Sequence, residues 1–300
     1  MSQPTVASNG LREAMRKHPL FCFFLIAYAS SWVALIPGIL SVWGFLRFDY
    51  TISSILSSFA GPPVAAVIMT YITEGKAGVN GLQRRLRQRG AGKPWYLFIL
   101  PCIPSLLLLG IIVQPGMLAS FQGLTPTLLV TYPAYFFVVF FGVALPEEIG
   151  WRGFALPRMQ PRYGPLWGTL LLGVLWSFWH LPRFLAPDQG GGPGTGIATF
   201  LTNFSVFFLL LLALAIIFTW VFNYTGGSVF ISNLLHASID TPAAVWIPLF
   251  AAVNVTSIDL ANLIAFGVPA LLILILTRGR LGYRPVIMAA PRKAEVVLQP

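Results

Sequence analysis

Apolar runs of about twenty residues recur along the chain, separated by short stretches rich in Gly, Pro, Arg or Lys. A bilayer core about 30 Å thick is crossed by about 20 apolar helical residues. Runs of that kind cover Leu20–Leu40, Ile52–Thr73, Trp95–Val113, Pro126–Leu145, Pro165–Leu181, Ile197–Phe222, Ser228–Ile247 and Ile258–Thr277. The pattern predicts an all-α fold, a polytopic membrane helix bundle of about eight transmembrane helices. The first run follows Arg12, Arg16 and Lys17 but is too long for the apolar region of a cleaved signal peptide, and no small-residue cleavage site follows it. It reads as a permanent helix behind a tail of residues 1–18. Residues 19–278 then form one transmembrane helical domain, and residues 279–300 a second, basic tail. No internal repeat is visible. Gly190–Gly196 (GGGPGTG) reads as a flexible loop, because a phosphate-cradling loop needs a Lys or Ser/Thr at the start of a following helix in a soluble βα unit.

Composition strengthens this reading. The chain is 56% hydrophobic and only 9% charged, with a mean hydropathy of +0.77. Too few polar residues remain to cover a water-facing surface, which excludes an ordinary soluble enzyme. The net charge of +10 arises from 19 Lys+Arg against 9 Asp+Glu, a balance that on a soluble chain suggests nucleic acid. Here the basic residues lie between apolar runs, so the implied partner is the lipid bilayer and no nucleic acid is expected. Lys76, Arg84, Arg85, Arg87, Arg89 and Lys93 share one loop, and Arg278, Arg280, Arg284, Arg292 and Lys293 crowd the C-terminal end. The opposite loops, Gly44–Thr51 and Pro115–Thr125, carry only Arg47. Positive loops stay inside, so the expectation is a multi-pass protein of the cell membrane with both termini cytoplasmic. Cys22 and Cys102 both fall in apolar runs, which supports neither a disulfide scaffold nor a cysteine metal site.

Ionisable residues inside a membrane are costly and therefore candidates for function. Among nine acids and three histidines, those in or beside the spans of the second half are Glu147, Glu148, His180, His236 and Asp240, with Asp259 at a span's edge. Glu148 and Arg152 stand four apart in the favourable order for a helical ion pair, which leaves Glu147 without a cation and suited to acid/base work. The bland alternative is an interfacial acidic pair at a helix end. His180 closes the run W-S-F-W-H-L-P, with Trp176 one turn before it. Tryptophans belt membrane interfaces, so an interfacial histidine is the alternative there. His236 and Asp240 stand at i and i+4, with Asn233 on the same stripe. An antiparallel pair of helices turning at Tyr163–Gly164, between Pro161 and Pro165, brings Glu147 and His180 to similar depth. Turns nearer Pro157 or Pro161 are alternatives.

The strings E-E-I-G-W-R at Glu147–Arg152, W-S-F-W-H-L-P ending in His180-Leu-Pro, and H-A-S-I-D at His236–Asp240 resemble the three motifs of the CPBP intramembrane proteases. That family includes type II CAAX prenyl endopeptidases and bacteriocin-processing or self-immunity proteins. The likeness is carried by residues 126–242, and its motif order and spacing make it specific. Two positions depart from the pattern: Trp176 stands where the family often has Phe, and Asp240 where it often has Asn. The resemblance implies peptide-bond hydrolysis within the membrane, with Glu147 and His180 activating a water. It further implies that His236, supported by Asp240, stabilises the oxyanion. Glu148–Arg152 would hold the segment, with Trp176 and Asn233 in supporting positions. An ionised Asp240 beside a developing oxyanion is repulsive, so Asp240 either keeps His236 protonated and oriented or is itself protonated. No cofactor is required in the preferred version; zinc on Glu147, His180 and His236 is the alternative, although no H-E-x-x-H helix exists. The implied partner is a membrane-associated peptide or protein substrate, prenylated or not. A proteolytically inactive scaffold or self-immunity factor of the same fold is the second functional reading. Access is open at this stage. A continuous helix from the Tyr163 turn puts the site about 24 Å away near the far face, whereas a break at Pro157 and Pro161 makes it shallower and cytoplasmic, as the resemblance implies.

Overall fold

Apolar side chains face outward along the long helices, as lipid-exposed surfaces require. Phe21, Leu25 and Val33, then Leu129 and Val130, then Leu272, Ile275 and Leu276 are all exposed. The computed structural model describes residues 6–251 and 255–285, which are mostly helical. Among them there is no strand, only an isolated antiparallel bridge between Phe121 and Phe250. The helices are α1 (Val6–Lys17), α2 (Pro19–Val42), α3 (Tyr50–Ala60), α4 (Pro62–Arg87), α5 (Lys93–Leu97), α6 (Ile103–Ile112), α7 (Leu128–Val139), α8 (Leu145–Gly150), α9 (Leu156–Tyr163), α10 (Pro165–Trp179), α11 (Ile197–Tyr224), α12 (Val229–Trp246) and α13 (Val255–Thr277). π-helical turns Phe98–Cys102, Phe140–Ala144 and Trp151–Ala155 join α5 to α6, α7 to α8 and α8 to α9.

Six stretches among the described residues are long and apolar enough to cross a membrane: 19–42, 50–87, 93–112, 128–163, 197–224 and 258–277. The other two predicted spans, Pro165–Leu181 and Ser228–Ile247, form α10 and α12, of 15 and 18 residues. They fall short because one is brief and the other carries Ser232, Asn233, His236, Ser238, Asp240 and Thr241. These are also the helices that bear the second and third motifs. Part of the expected N-terminal tail is α1, tied down where Arg16 Nε donates to the Ile72 carbonyl at 2.8 Å. Arg278, Arg280 and Arg284 follow α13, while Arg292 and Lys293 lie outside the described residues.

α11 sits at the centre, with 61% of its most apolar window buried. Close approach of the other helices depends on small and hydroxylated residues, since lipid gives no hydrophobic drive to association. Ser31 Oγ donates to the Ser57 carbonyl and Ser30 Oγ to the Ala60 carbonyl, both at 2.8 Å, tying α2 to α3. Gly75, at φ 66° and ψ −157°, kinks α4 and separates its apolar half from the basic half that ends at Arg87. Gly164 (φ 80°) makes the turn between α9 and α10 where the sequence places it.

The helical path from α7 to α9 bends without breaking. Pro157 and Pro161 lie within α9, so the expected alternative of a break there does not hold. Pro157 lacks the N–H that would meet the Gly153 carbonyl, and Arg85 Nη2 takes that carbonyl instead at 2.7 Å. Gly150 fits α8 against α4 so closely that a Cβ there would stand 2.4 Å from Pro62 Cβ and 3.0 Å from its backbone. Gly150→Ala is therefore expected to destabilise by about 2 kcal/mol, read as a lowered thermal unfolding midpoint in detergent. Gly267→Ala, whose nearest neighbour is the Leu263 side chain at 3.8 Å, should leave the midpoint unchanged or slightly raised.

Candidate active site

The first motif lies on α8, between two π-helical turns and opening at Pro146. Adjacent residues on a helix point about 100° apart, and Glu147 and Glu148 accordingly face different surroundings. Glu147 is 1% exposed and Glu148 is wholly buried. Glu147 Oε2 accepts from Trp176 Nε1 at 2.7 Å and from Trp151 Nε1 at 3.2 Å. Its Oε1 stands 3.9 Å from His180 Nε2. Among the described residues no Lys or Arg stands within salt-bridge distance of Glu147, whose hydrogen-bond donors are two neutral indoles.

His180 caps α10, and its Nδ1 lies 2.9 Å from the Trp176 carbonyl. A carbonyl only accepts, so Nδ1 carries the proton and Nε2 is the nitrogen turned toward Glu147. The 3.9 Å gap is too long for a direct hydrogen bond and of the size that a bridging water spans. The predicted convergence of these two side chains across the Gly164 turn is thus present in the fold.

Glu148 Oε1 accepts from Arg152 Nη1 at 2.8 Å, the predicted pair, and also from His236 Nδ1 at 2.9 Å. His236 Nε2 in turn lies 3.3 Å from Asp240 Oδ2, one helical turn on. With a carboxylate on each side, both ring nitrogens act as donors, the arrangement of an imidazolium. Arg152 is wholly buried, its guanidinium carbon 4.5 Å from the Trp176 ring centre and 4.0 Å from that of Phe218. Its Nε and Nη2 have no hydrogen-bond partner among the described residues, and the aromatic faces stand in for one.

A cavity of about 440 Å³ opens over this assembly. Glu147, Trp176, His180, His236 and Asp240 line it, whereas Glu148 and Arg152 lie behind it. Asn233 is buried on α12 and does not line the cavity; its Oδ1 has no partner among the described residues. The rest of the wall comes from Ser54 and Ser58 of α3, the segment Arg183–Gln189 after α10, apolar residues of α11, and Asp259 and Asn262 near the start of α13. All three polar stretches belong to the end of the bundle away from the basic half of α4, which forms most of the expected basic loop. At the rim, Arg183 Nη2 and Nε donate to Asp188 Oδ2 at 2.7 and 3.2 Å, and Tyr50 donates to Oδ1 at 2.8 Å.

The donor set does not fit zinc. A zinc ligand must offer a lone pair, and both nitrogens of His236 already face carboxylates. No group of three or more His, Cys, Asp or Glu side chains among the described residues has metal-binding proximity.

Sequence reasoning missed Trp151, Phe218 and the Arg183–Asp188–Tyr50 cluster. Trp151 stands at i+4 from Glu147 within the first motif, but spacing alone does not say that its indole meets the carboxylate. Phe218 lies in an unbroken apolar run and gives no signal.

Comparison with known proteins bears on the same stretch. Residues 129–242 match the family model for type II CAAX prenyl endopeptidase Rce1-like proteins. CAAX prenyl protease 2 of Methanococcus maripaludis is 26% identical over 234 residues, covering 73% of this chain and 81% of the relative. The matched stretch contains Glu147, His180, His236 and Asp240, the residues that meet at the cavity. With its apolar helices, this chain is a multi-pass membrane peptidase whose residues 129–242 are similar to the Rce1-like type II CAAX prenyl endopeptidases.

Proposed function

We propose that the chain is an intramembrane endopeptidase that hydrolyses a peptide bond of a membrane-associated peptide or protein with a water held between Glu147 and His180. The observation that carries this reading is the 3.9 Å separation of Glu147 Oε1 and His180 Nε2 at the cavity wall, with the second carboxylate oxygen fixed by two indoles. Glu147 takes a proton from the water as its oxygen attacks the scissile carbonyl carbon. His180 orients that water through Nε2. The carbonyl oxygen becomes an oxyanion, and the positive His236 stabilises it through Nε2–H, whose 3.3 Å contact to Asp240 is long enough to be shared. The tetrahedral intermediate collapses as the C–N bond breaks, and Glu147 returns its proton to the leaving amine. Asp240 keeps His236 turned toward the cavity and is a positioning residue. The name of the archaeal relative points to substrates ending in a prenylated CAAX sequence, and a leader or precursor peptide fits the same cavity chemistry.

For orientation, the basic loop at 76–93 and both chain ends belong on the cytoplasmic side. The cavity mouth then addresses the opposite face, contrary to the cytoplasmic access that the family resemblance implies.

Three outcomes are expected. Glu147→Gln and His180→Ala should each lower turnover about a thousandfold or more, measured as Glu147-dependent new peptide termini in a membrane proteome or with a purified substrate. Normal turnover in either variant removes the mechanism. Stability should separate the two acids. Glu147→Gln keeps an acceptor for both indoles and should unfold near the wild-type temperature. Arg152→Met leaves Glu148 short of its main counter-charge and should cost about 3 kcal/mol, read in the same unfolding assay. For orientation, with Cys22 and Cys102 replaced by Ala, a membrane-impermeant maleimide should label Arg47→Cys in intact cells and Arg84→Cys only after permeabilisation. The reverse pattern puts the mouth on the cytoplasmic side.

A further inference from the structure

The acids around the cavity are answered one by one, with a single exception. Glu148 has Arg152 and His236, Asp240 has His236, and Asp188 has Arg183 and Tyr50. Glu147 has no cation but receives two indole N–H donors. Asp259 is different. It lines the cavity from the first turns of α13, it is only 9% exposed, and its Oδ2 has no hydrogen-bond partner among the described residues. Asn262, three residues on and therefore on the same helical face, is 7% exposed, and its Oδ1 is likewise unpartnered among the described residues. Two acceptors thus stand side by side at the cavity wall with no donor. A carboxylate in low-dielectric surroundings without a cation is costly. The wall is short of positive charge and N–H donors at this one place.

We propose that Asp259 and Asn262 form a subsite for an ammonium or guanidinium group carried by the substrate. This rests on the endopeptidase reading for the identity of the ligand as a peptide. A lysine or arginine side chain supplies what the pair lacks: a positive charge for Asp259 and further N–H donors for the Asn262 carbonyl oxygen. Apolar residues of α11, among them Leu210 and Leu214, line the same cavity and suit the methylene stem. The subsite therefore selects a substrate with a basic residue at one fixed distance from the scissile bond.

The test is a binding measurement on the full chain in lipid nanodiscs, with Glu147→Ala present so that nothing is cleaved. The probes are palmitoylated fluorescent peptides of neutral sequence in which one lysine, or its uncharged analogue norleucine, is placed at each position in turn. At one register the lysine peptide is expected to bind about tenfold more tightly than the norleucine peptide. Asp259→Asn should bring that ratio to about one, Asp259→Glu should retain it, and Asp259→Lys should favour a glutamate peptide at the same register. A lysine preference that survives in Asp259→Asn, or no preference at any register, overturns the subsite. The same peptides are then given to the chain with Glu147 intact. Charge-selective binding without any cleavage there overturns the endopeptidase reading and leaves the subsite standing, so the two ideas fail separately.

Discussion

One oxygen atom beneath the cavity, Glu148 Oε1, accepts from two cationic donors, Arg152 and His236, and the architecture around the site is arranged to keep it so. A single ion in this apolar bundle would be expensive. The group is assembled with its charges matched: Glu148 and Asp240 against Arg152 and His236. The match is also a mechanical link. Glu148 belongs to α8 and His236 to α12, while the Arg152 guanidinium lies against Trp176 of α10 and Phe218 of α11. Four elements are fixed by one charge cluster, and Glu147 and His180 at its edge inherit that rigidity. Glu147 can remain without a cation because its neighbour has taken both that are in reach.

The chain reaches this arrangement by bending a helix that prolines would otherwise interrupt. Pro146 and Pro157 each remove a backbone donor, and π-helical turns stand just before α8 and just before α9. Such turns change which face a helix presents and recur at functional sites. Between them, α8 turns Glu147 to the cavity and Glu148 to the charge cluster. The carbonyl freed at Gly153 is taken by Arg85, a residue whose sequence context speaks only of membrane orientation. The basic half of α4 is thereby anchored to the catalytic helix.

Local relations were legible in the sequence and distant ones were not. The pairs Glu148–Arg152 and His236–Asp240 follow from spacing on one helix, and the Gly164 turn follows from the flanking prolines and a residue free to take positive φ. The contact between Glu148 and His236 joins residues 88 apart, and no periodicity announces it. Trp176 is placed near the site only through the motif it belongs to, and Trp151 is given no role by its motif; only the fold aims their N–H groups at one carboxylate oxygen. Hydropathy counted α10 and α12 with the membrane spans, yet one is short and the other polar, although α10 still exposes Trp167, Leu171 and Phe178. The polarity of α12 serves the site and weakens its signal as a span, whereas α10 is apolar and merely short.

Charge is distributed along the bundle axis in a way that ties orientation to chemistry. Basic residues gather at the end holding the loop 76–93 and Arg278, Arg280 and Arg284, while the cavity end has Arg47 and Arg183 among the described residues, beside Asp49, Asp188, Asp240 and Asp259. Arg183 is committed to Asp188. An approaching peptide therefore meets a mouth whose free charge is negative, in a setting where low dielectric and excluded water strengthen every such interaction. With the basic end held on one side of a membrane, as proposed from the positive loops, the acids of the other end would face what enters the cavity. A cation bound at Asp259 would also shield Glu147 from the second uncompensated carboxylate in the same cavity, which in the proposed mechanism would ease the approach of a polar carbonyl to Glu147. The proposed substrate binding and water activation would in this way be two uses of a single imbalance, set by where the chain places its few charges.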